Sequence, residues 1–297
     1  MKAILRQVRG VIVLGVLIVN TVTWFIPLFT LAIVKLVIPV TRVRRGLTRV
    51  LMTFAENWVS VNTMILAGSG SRNWSAQLGD ELRRDRWYLV IANHQSSIDI
   101  AVLQTVLNRR IPMLKFFVKQ ELIWLPLLGI AWWALDMPFM KRYSPSYLAK
   151  HPEKKGKDME ATRKACEKFH DSPTSVINFV EGTRFSEQKR DARNSPYTHL
   201  LQPRAGGIAI AMSSMGDLFD AILDVTLVYP HGVPTFWGMC CGDYVRVIVD
   251  VQERPIASDL LAGDYTNDRE FRRELHRWLT RIWHEKDARM SSLKLRT

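Results

Sequence analysis

His94 and Asp99 are the two side chains in this chain whose types and spacing ask for chemistry. They belong to Asn93-His94-Gln95-Ser96-Ser97-Ile98-Asp99, directly after the apolar run Trp87-Tyr88-Leu89-Val90-Ile91-Ala92. The aromatic and branched content of that run reads as a buried strand, so the histidine stands where a strand ends and a new element begins. Ser96 or Ser97 can cap a helix entering at Ile98, and Asp99 in its first turn favours the positive helix end while still reaching back to the imidazole. An imidazole titrates near neutrality, and a carboxylate beside it sets its tautomer and stabilises its cation. Together they make a general base able to take a proton from a hydroxyl. No nucleophilic side chain accompanies them, so that hydroxyl belongs to a substrate. Alone the spacing is a weak signal, because His and Asp at this separation pair more often for structure than for chemistry.

Other strand ends carry polar groups of a complementary kind. Ser175 to Val180 reads as a second buried strand and runs into Glu181-Gly182-Thr183-Arg184-Phe185-Ser186. Gly182 permits a tight turn with backbone amides open to an oxyanion or phosphate, and Arg184 offers a two-pronged fork for phosphate oxygens. A salt-bridging surface turn would explain the same residues. Phe139-Met140-Lys141-Arg142 ends a strand-like segment in paired cations. Pro203-Arg204-Ala205-Gly206-Gly207 opens an Ala/Ile-rich helix over Ile208–Met215, where Arg204 and the amides form a further candidate anion site. His151, His170, His199, His231, His276 and His284 have no carboxylate or cysteine at metal spacing, and Cys166, Cys240 and Cys241 form no CxxC. Neither a zinc site nor a disulfide framework is expected, and the bulk of the chain belongs in a reducing compartment.

The elements that must position these groups follow from periodicity. At 297 residues the chain has room for one large catalytic domain. Val11 to Val40 is apolar for longer than the ~20 residues that cross a bilayer, and no small-x-small cleavage site closes it, so it anchors the chain to a membrane. Basic residues flank both ends, and Pro27 stands near the middle. A hairpin of Val11–Ile26 and Leu28–Val40 is preferred over a single span. The division is a membrane anchor over 1–46 and a catalytic domain over 47–297. Leu47 to Leu66 repeats at helical spacing, Gly68 to Gly79 reads as a connector, Ile100 to Leu107 as helix and Phe116 to Val118 as strand. Leu122 to Phe139 is broken by prolines, Gly129 and Asp136, so it does not span; its tryptophans wall an apolar channel, dock on lipid or pack in the core. Lys157–His170 is an amphipathic helix after a charged loop over Tyr147–Gly156, and Glu187 to Leu201 is a hydrophilic loop. Val225–Pro230 and Tyr244–Val251 are strands, and Asn267 caps a last helix with Glu270 in the capping-box position. The net charge of +13 calls for an anionic partner without choosing among phospholipid, nucleic acid and acidic substrate.

The order of the blocks is more specific than any one of them. Asn93-His94-Gln95-Ser96-x-x-Asp99, Phe139-x-x-Arg142, Glu181-Gly182-Thr183-Arg184 and Val225 through Pro230 resemble, in this sequence, the four blocks of the glycerolipid acyltransferases, the 1-acylglycerol-3-phosphate acyltransferases and their relatives. The wording Phe179-Val180-Glu181-Gly182-Thr183-Arg184-Phe185 is similar to the membrane-bound lysophospholipid acyltransferase branch; the last block matches loosely and carries no role. The resemblance implies an α/β fold, a mostly parallel sheet flanked by helices. It implies acyl transfer from acyl-CoA or acyl carrier protein to the free hydroxyl of a lysophospholipid such as 1-acylglycerol-3-phosphate or lysophosphatidylglycerol. His94 would be the base and Asp99 its orienter. The Gly182 amide and Lys119 would serve the oxyanion. Arg142, Thr183 and Arg184 would hold the acceptor phosphate, with Glu181 structuring the turn and Arg204 and Lys141 as secondary cations. The partners are then membrane phospholipid, the lysophospholipid and the acyl donor, with no nucleic acid, no metal and no cofactor. The place is the cytoplasmic side of a membrane, a bacterial inner membrane. Two rival readings are a basic membrane-tethered binding protein, against which the cations are scattered rather than interleaved with aromatics, and a lipid hydrolase, against which no Gly-x-Ser-x-Gly elbow is present.

Overall fold

The computed structural model describes residues 1–70, 72–79, 81–125, 127–140, 151, 157–257, 260, 265 and 268–295. Short runs of branched and aromatic residues form the strands: β1 (Arg72–Gln77), β2 (Tyr88–Ala92), β3 (Leu114–Phe116), β4 (Val118–Lys119), β5 (Phe139–Met140), β6 (Ser175–Phe179), β7 (Ala221–Val228) and β8 (Val245–Arg254). The main sheet has the order β1-β8-β7-β2-β6-β3. Its pairs are parallel except β7 with β8. Every residue of β2 and β7 is buried, as expected of strands covered on both faces. The α/β architecture read from the sequence is therefore the one formed. β1 lies inside the segment read as a connector, and β4 pairs with β5 apart from the main sheet.

The helices are α1 (Lys2–Val37), α2 (Thr41–Gly68), α3 (Asp99–Leu107), α4 (Leu128–Ala134), α5 (Lys157–Cys166), α6 (Glu187–Ala192), α7 (Ala205–Met215), α8 (Phe236–Cys240) and α9 (Arg269–Leu295). Side chains alternate along the strands, so Leu89 and Ile91 face α7 and α9 through Ile208, Leu279 and Trp283. Tyr88, Val90 and Ala92 face α3 through Val102 and Leu103. Leu122–Phe139 does not span: a 3₁₀ turn at Gln120–Trp124 and the short α4 break it. α6 interrupts the loop expected over Glu187–Leu201. The last helix is capped by Asp268, whose Oδ1 accepts from the Glu270 and Phe271 amides, while Asn267 lies outside the described residues. Lys141, Arg142 and the Tyr147–Gly156 loop, apart from His151, also lie outside them.

The expected hairpin at Pro27 does not form. α1 runs unbroken through Pro27, which removes one backbone donor from a helix that packing holds on either side. The break comes at Pro39, which holds Ile38 extended at φ −79° and ψ 119°, as a residue before proline must be. α2 then returns along α1. Asn20 Nδ2 donates to Asn62 Oδ1 at 2.9 Å, and Trp58 Nε1 to Thr21 Oγ1 at 3.1 Å. α2 starts at Thr41, so the division between 46 and 47 falls inside one helix. At its first turns α1 pairs Arg6 with Asp243 at 2.6 Å; at its last it pairs Lys35 with Asp136 at 2.8 Å. Those contacts stand ~44 Å apart along the helix, at 1.5 Å per residue. α1 therefore lies along the α/β domain instead of projecting from it.

α9 is bolted to the sheet by a buried charge cluster. Lys286 Nζ, with no exposed surface, stands 2.5 Å from Asp224 Oδ1 and donates to the Val225 carbonyl at 2.6 Å. Arg254 and Arg289 approach Asp224 Oδ2 at 3.0 and 3.5 Å. Asp224→Ala strands the Lys286 ammonium in the core, so it is expected to destabilise the fold by about 3–5 kcal/mol. Denaturant unfolding of the two proteins in the same detergent measures this; a loss under about 1 kcal/mol would mean the cluster is not a fastening.

Candidate active site

β2 lies between β6 and β7, with Ala92 in register with Phe179 on one side and Val225 on the other. Residues that follow the carboxyl ends of these three strands are therefore neighbours, in the position where open α/β sheets place their ligands. Asn93 locks the arrangement: buried, it donates from Nδ2 to the Leu227 carbonyl at 2.9 Å and accepts the Leu227 amide at 2.8 Å. His94 emerges next. Its Nδ1 is 2.8 Å from Asp99 Oδ2, and its ring stacks on Phe179 with centroids 4.2 Å apart. The same carboxylate oxygen accepts the Gln95 and Ser96 amides at 2.7 and 2.9 Å. Tyr229, buried at the end of β7, donates its hydroxyl to Asp99 Oδ1. Both oxygens of Asp99 are thus held, and Nε2 is the ring nitrogen left to His94 for exchange with a substrate. The expected serine cap is replaced by a different local fold: Ile98 takes the cap position, and Ser96 Oγ accepts the Ile98 amide at 3.3 Å while donating to the Pro234 carbonyl at 3.1 Å.

The Glu181–Arg184 turn is stitched to His94 through the backbone. Glu181, fully buried, accepts the His94 amide on Oε1 at 2.9 Å and the Leu201 amide on Oε2 at 2.8 Å. The Phe185 amide donates to the His94 carbonyl at 2.7 Å. Glu181 therefore structures the turn and does not face a ligand. Burial pushes its carboxyl up to about 7. Gly182 takes φ +68°, which favours glycine, but its amide donates to the Phe179 carbonyl at 2.9 Å. The expectation that this amide is open to an oxyanion is corrected: it closes the turn. The Arg204 side chain crosses Gly182, its Cδ 3.3 Å from where a Cβ would stand, and Arg184 is exposed on the same turn. Lys189 Nζ donates to Thr183 Oγ1 at 3.1 Å and to the Arg184 carbonyl at 2.9 Å. Sequence reasoning overlooked Lys189 and Tyr229; for Tyr229 the strand-end rule that selected His94 was signal enough.

His94, Phe179 and Lys119 are among the residues that line a cavity of about 600 Å³, whose lining is otherwise almost wholly apolar. Trp24, Phe25 and Leu28 of α1, Phe54 and Trp58 of α2, and Trp132 of α4 form much of its wall. The tryptophan-rich run thus divides its work: Leu122, Leu128, Trp132, Leu135 and Met137 line the channel, while Trp124 is 86% exposed.

The chain as a whole is similar to known proteins. A model of the acyltransferase family matches residues 76–233, more than half of the chain, and the chain belongs to that family. Human 1-acyl-sn-glycerol-3-phosphate acyltransferase delta is 27% identical over 214 residues, which cover 67% of this chain and 51% of the relative. The human gamma enzyme matches at the same identity and coverage. The chain thus spans about half the length of the curated relatives it matches. The crystal structure of the 1-acyl-sn-glycerophosphate acyltransferase of Thermotoga maritima shares the fold, with a TM-score of 0.53 at 16% identity over 93% of this chain and 97% of that one.

Glu181 makes the site sensitive to pH in a direction that can be worked out. Its pKa is raised from 4.5 to about 7, so the folded chain holds this proton more tightly than the unfolded one. The stabilisation is full below pH 4.5 and is lost as pH rises through about 7, on the order of 3 kcal/mol in all. Unfolding midpoints between acid and neutral pH are expected to fall more steeply for wild type than for Glu181→Gln; parallel slopes would show that Glu181 is not the group titrating.

Proposed function

We propose that this protein is a membrane-bound O-acyltransferase that moves a fatty acyl group from acyl-CoA or acyl carrier protein to the free hydroxyl of a lysophospholipid, 1-acylglycerol-3-phosphate or a related acceptor such as lysophosphatidylglycerol. The observation that carries this reading is the His94–Asp99 pair set against an apolar cavity walled in part by the long apolar helix α1. A base in polar surroundings alone would suit many hydroxyl substrates; one that opens on ~600 Å³ of apolar space suits a reacting carbonyl or hydroxyl that carries an alkyl chain.

In the reaction, His94 Nε2 takes the proton of the acceptor hydroxyl as its oxygen attacks the thioester carbonyl. The tetrahedral intermediate carries its negative charge on the former carbonyl oxygen. Lys119, exposed and lining the same cavity, is the cation this reading assigns to that charge, because the Gly182 amide is occupied by its own turn. Collapse of the intermediate breaks the carbon–sulfur bond, and the departing thiolate takes the proton from His94. Asp99, held by Tyr229 and two amides, keeps the imidazole in the tautomer with Nε2 free and stabilises the cation while the proton is stored. Arg184 and Arg204, flanking the Gly182 turn, are the cations for the acceptor phosphate, with Thr183 beside them; Arg142 joins them on the resemblance of its block alone.

The membrane reading rests on α1. Its outward face bears Val11, Ile12, Ile18, Val19 and Val22, all about half exposed or more. Because both ends of α1 are tied to the α/β domain, this reading lays the helix along one leaflet, apolar face into the acyl chains, instead of across the bilayer. Lipid substrates then reach His94 past α1 and α2 without leaving apolar surroundings. The reducing compartment inferred from the cysteines and the two cytoplasmic donor types support a domain that faces the cytoplasm.

Purified protein, labelled acyl-CoA or acyl carrier protein and a panel of lysophospholipids test this directly. Wild type is expected to transfer label to at least one acceptor, and His94→Ala to lose about 10²–10⁴ in rate. Equal transfer by His94→Ala would remove His94 from the mechanism. Tyr229→Phe keeps the shape of the core while releasing one oxygen of Asp99, and is expected to lower kcat about tenfold with KM nearly unchanged. Arg184→Ala is expected to raise KM for the acceptor more than for the donor; the reverse would reassign it to the donor.

A further inference from the structure

A second cavity, of about 280 Å³, lies at the turn from α1 into α2, and nothing in the acyl-transfer chemistry uses it. Lys35, Arg44, Arg45, Arg49 and Lys168 line it, against the carboxylates of Asp136 and Asp171. Both carboxylates are already satisfied. Asp136 holds Lys35 at 2.8 Å and Lys168 at 3.3 Å and accepts from Thr48 Oγ1 at 3.0 Å; Asp171 holds Arg45 at 2.7 Å. Arg44 and Arg49 are exposed, and among the described residues neither has a carboxylate within ion-pair distance. The cavity therefore has surplus guanidinium charge beside the hydroxyls of Thr41, Thr48 and Ser172, a lining that suits phosphate oxygens.

Its rim identifies where the phosphate comes from. Leu36, Val37, Val40 and Val43 surround the same turn and are 67, 74, 53 and 44% exposed. Bare apolar side chains interleaved with arginines are the pattern of a chain segment seated at the boundary between acyl chains and headgroups. The two cavities share no lining residue: Leu135 and Met137 line that of His94, and Asp136 between them lines this one. A ligand here thus sits outside the cavity of His94. An acidic carrier protein would need a face of about 800 Å² on each partner, not a cleft the size of one headgroup.

We propose that this cavity binds the phosphate headgroup of an anionic phospholipid that is not the substrate, fixing the depth and tilt at which α1 and α2 sit in the leaflet. The proposal rests on the membrane reading of α1, and its test separates the two. Full-length protein is sedimented with vesicles of phosphatidylcholine alone or of phosphatidylcholine mixed with phosphatidylglycerol. Wild type, Arg44→Ala/Arg49→Ala, and a control that removes the same charge from α9, Arg273→Ala/Arg281→Ala, are compared. All three are expected to bind neutral vesicles equally through the apolar face of α1. Wild type and the α9 control are expected to bind the anionic vesicles more tightly, and Arg44→Ala/Arg49→Ala to lose about 30-fold of that affinity, about 2 kcal/mol at roughly 1 kcal/mol for each cation. No anionic preference in wild type, or an equal loss in the α9 control, would overturn the headgroup site while leaving the membrane reading intact. Failure of every protein to bind neutral vesicles would instead sink the membrane reading. Displacement by inorganic phosphate at constant ionic strength would reassign the cavity to free phosphate. Loss of acyl carrier protein binding in the double variant, with vesicle affinity unmoved, would reassign it to the donor.

Discussion

Asp99 is a carboxylate without exposed surface, and the arrangement around the candidate site exists to satisfy it. A buried, unpartnered carboxylate would cost several kcal/mol. Here His94 Nδ1, the Gln95 and Ser96 amides and the Tyr229 hydroxyl share that burden. Three of those donors come from the loop after β2 and one from the end of β7, so the carboxylate is fully satisfied only when these strands stand side by side. The site and the sheet therefore form together. The same carboxylate that orients the imidazole also ties the strand ends, which makes a purely structural or a purely chemical account of the pair incomplete.

Glu181 repeats the device one strand over. It bridges the His94 and Leu201 amides and is left with a raised pKa because burial outweighs those two hydrogen bonds and the charge of Lys286. Its carboxyl points inward beside His94, and Arg184 and Arg204 are what the surface of this turn presents.

α1 supplies part of the apolar wall of the cavity that His94 lines. One face of the helix is bare and apolar, the other walls the cavity of His94, and its ends are pinned by Arg6–Asp243 and Lys35–Asp136. A helix free at one end would be a tether. One pinned at both ends is a wall of the domain, so α1 and the cavity of His94 are a single structure.

The buried strands β2, β6, β7 and β8, the broken Leu122–Phe139 run and the pairing of His94 with Asp99 were legible in the sequence, because each rests on local rules: runs of branched residues, prolines, and residue types a few positions apart, whereas β1 was read as a connector. The arginine-bearing turn was legible as well, through Gly182 and Arg184 standing at a strand end. Other features had no local signature. Pro27 looked like the natural break in the apolar stretch, yet packing against α2 carries the helix through it and Pro39 makes the turn. The Gly182 amide looked free for an oxyanion, yet the turn it closes consumes it. Tyr229 lies 130 positions from Asp99 and meets it only because β7 pairs with β2. Sequence determined which chemistry the chain carries, since reactivity belongs to residue types and short spacings. Tertiary structure decided which groups serve that chemistry and how the long helix is used, since hydrogen-bond partners are chosen by neighbours in space.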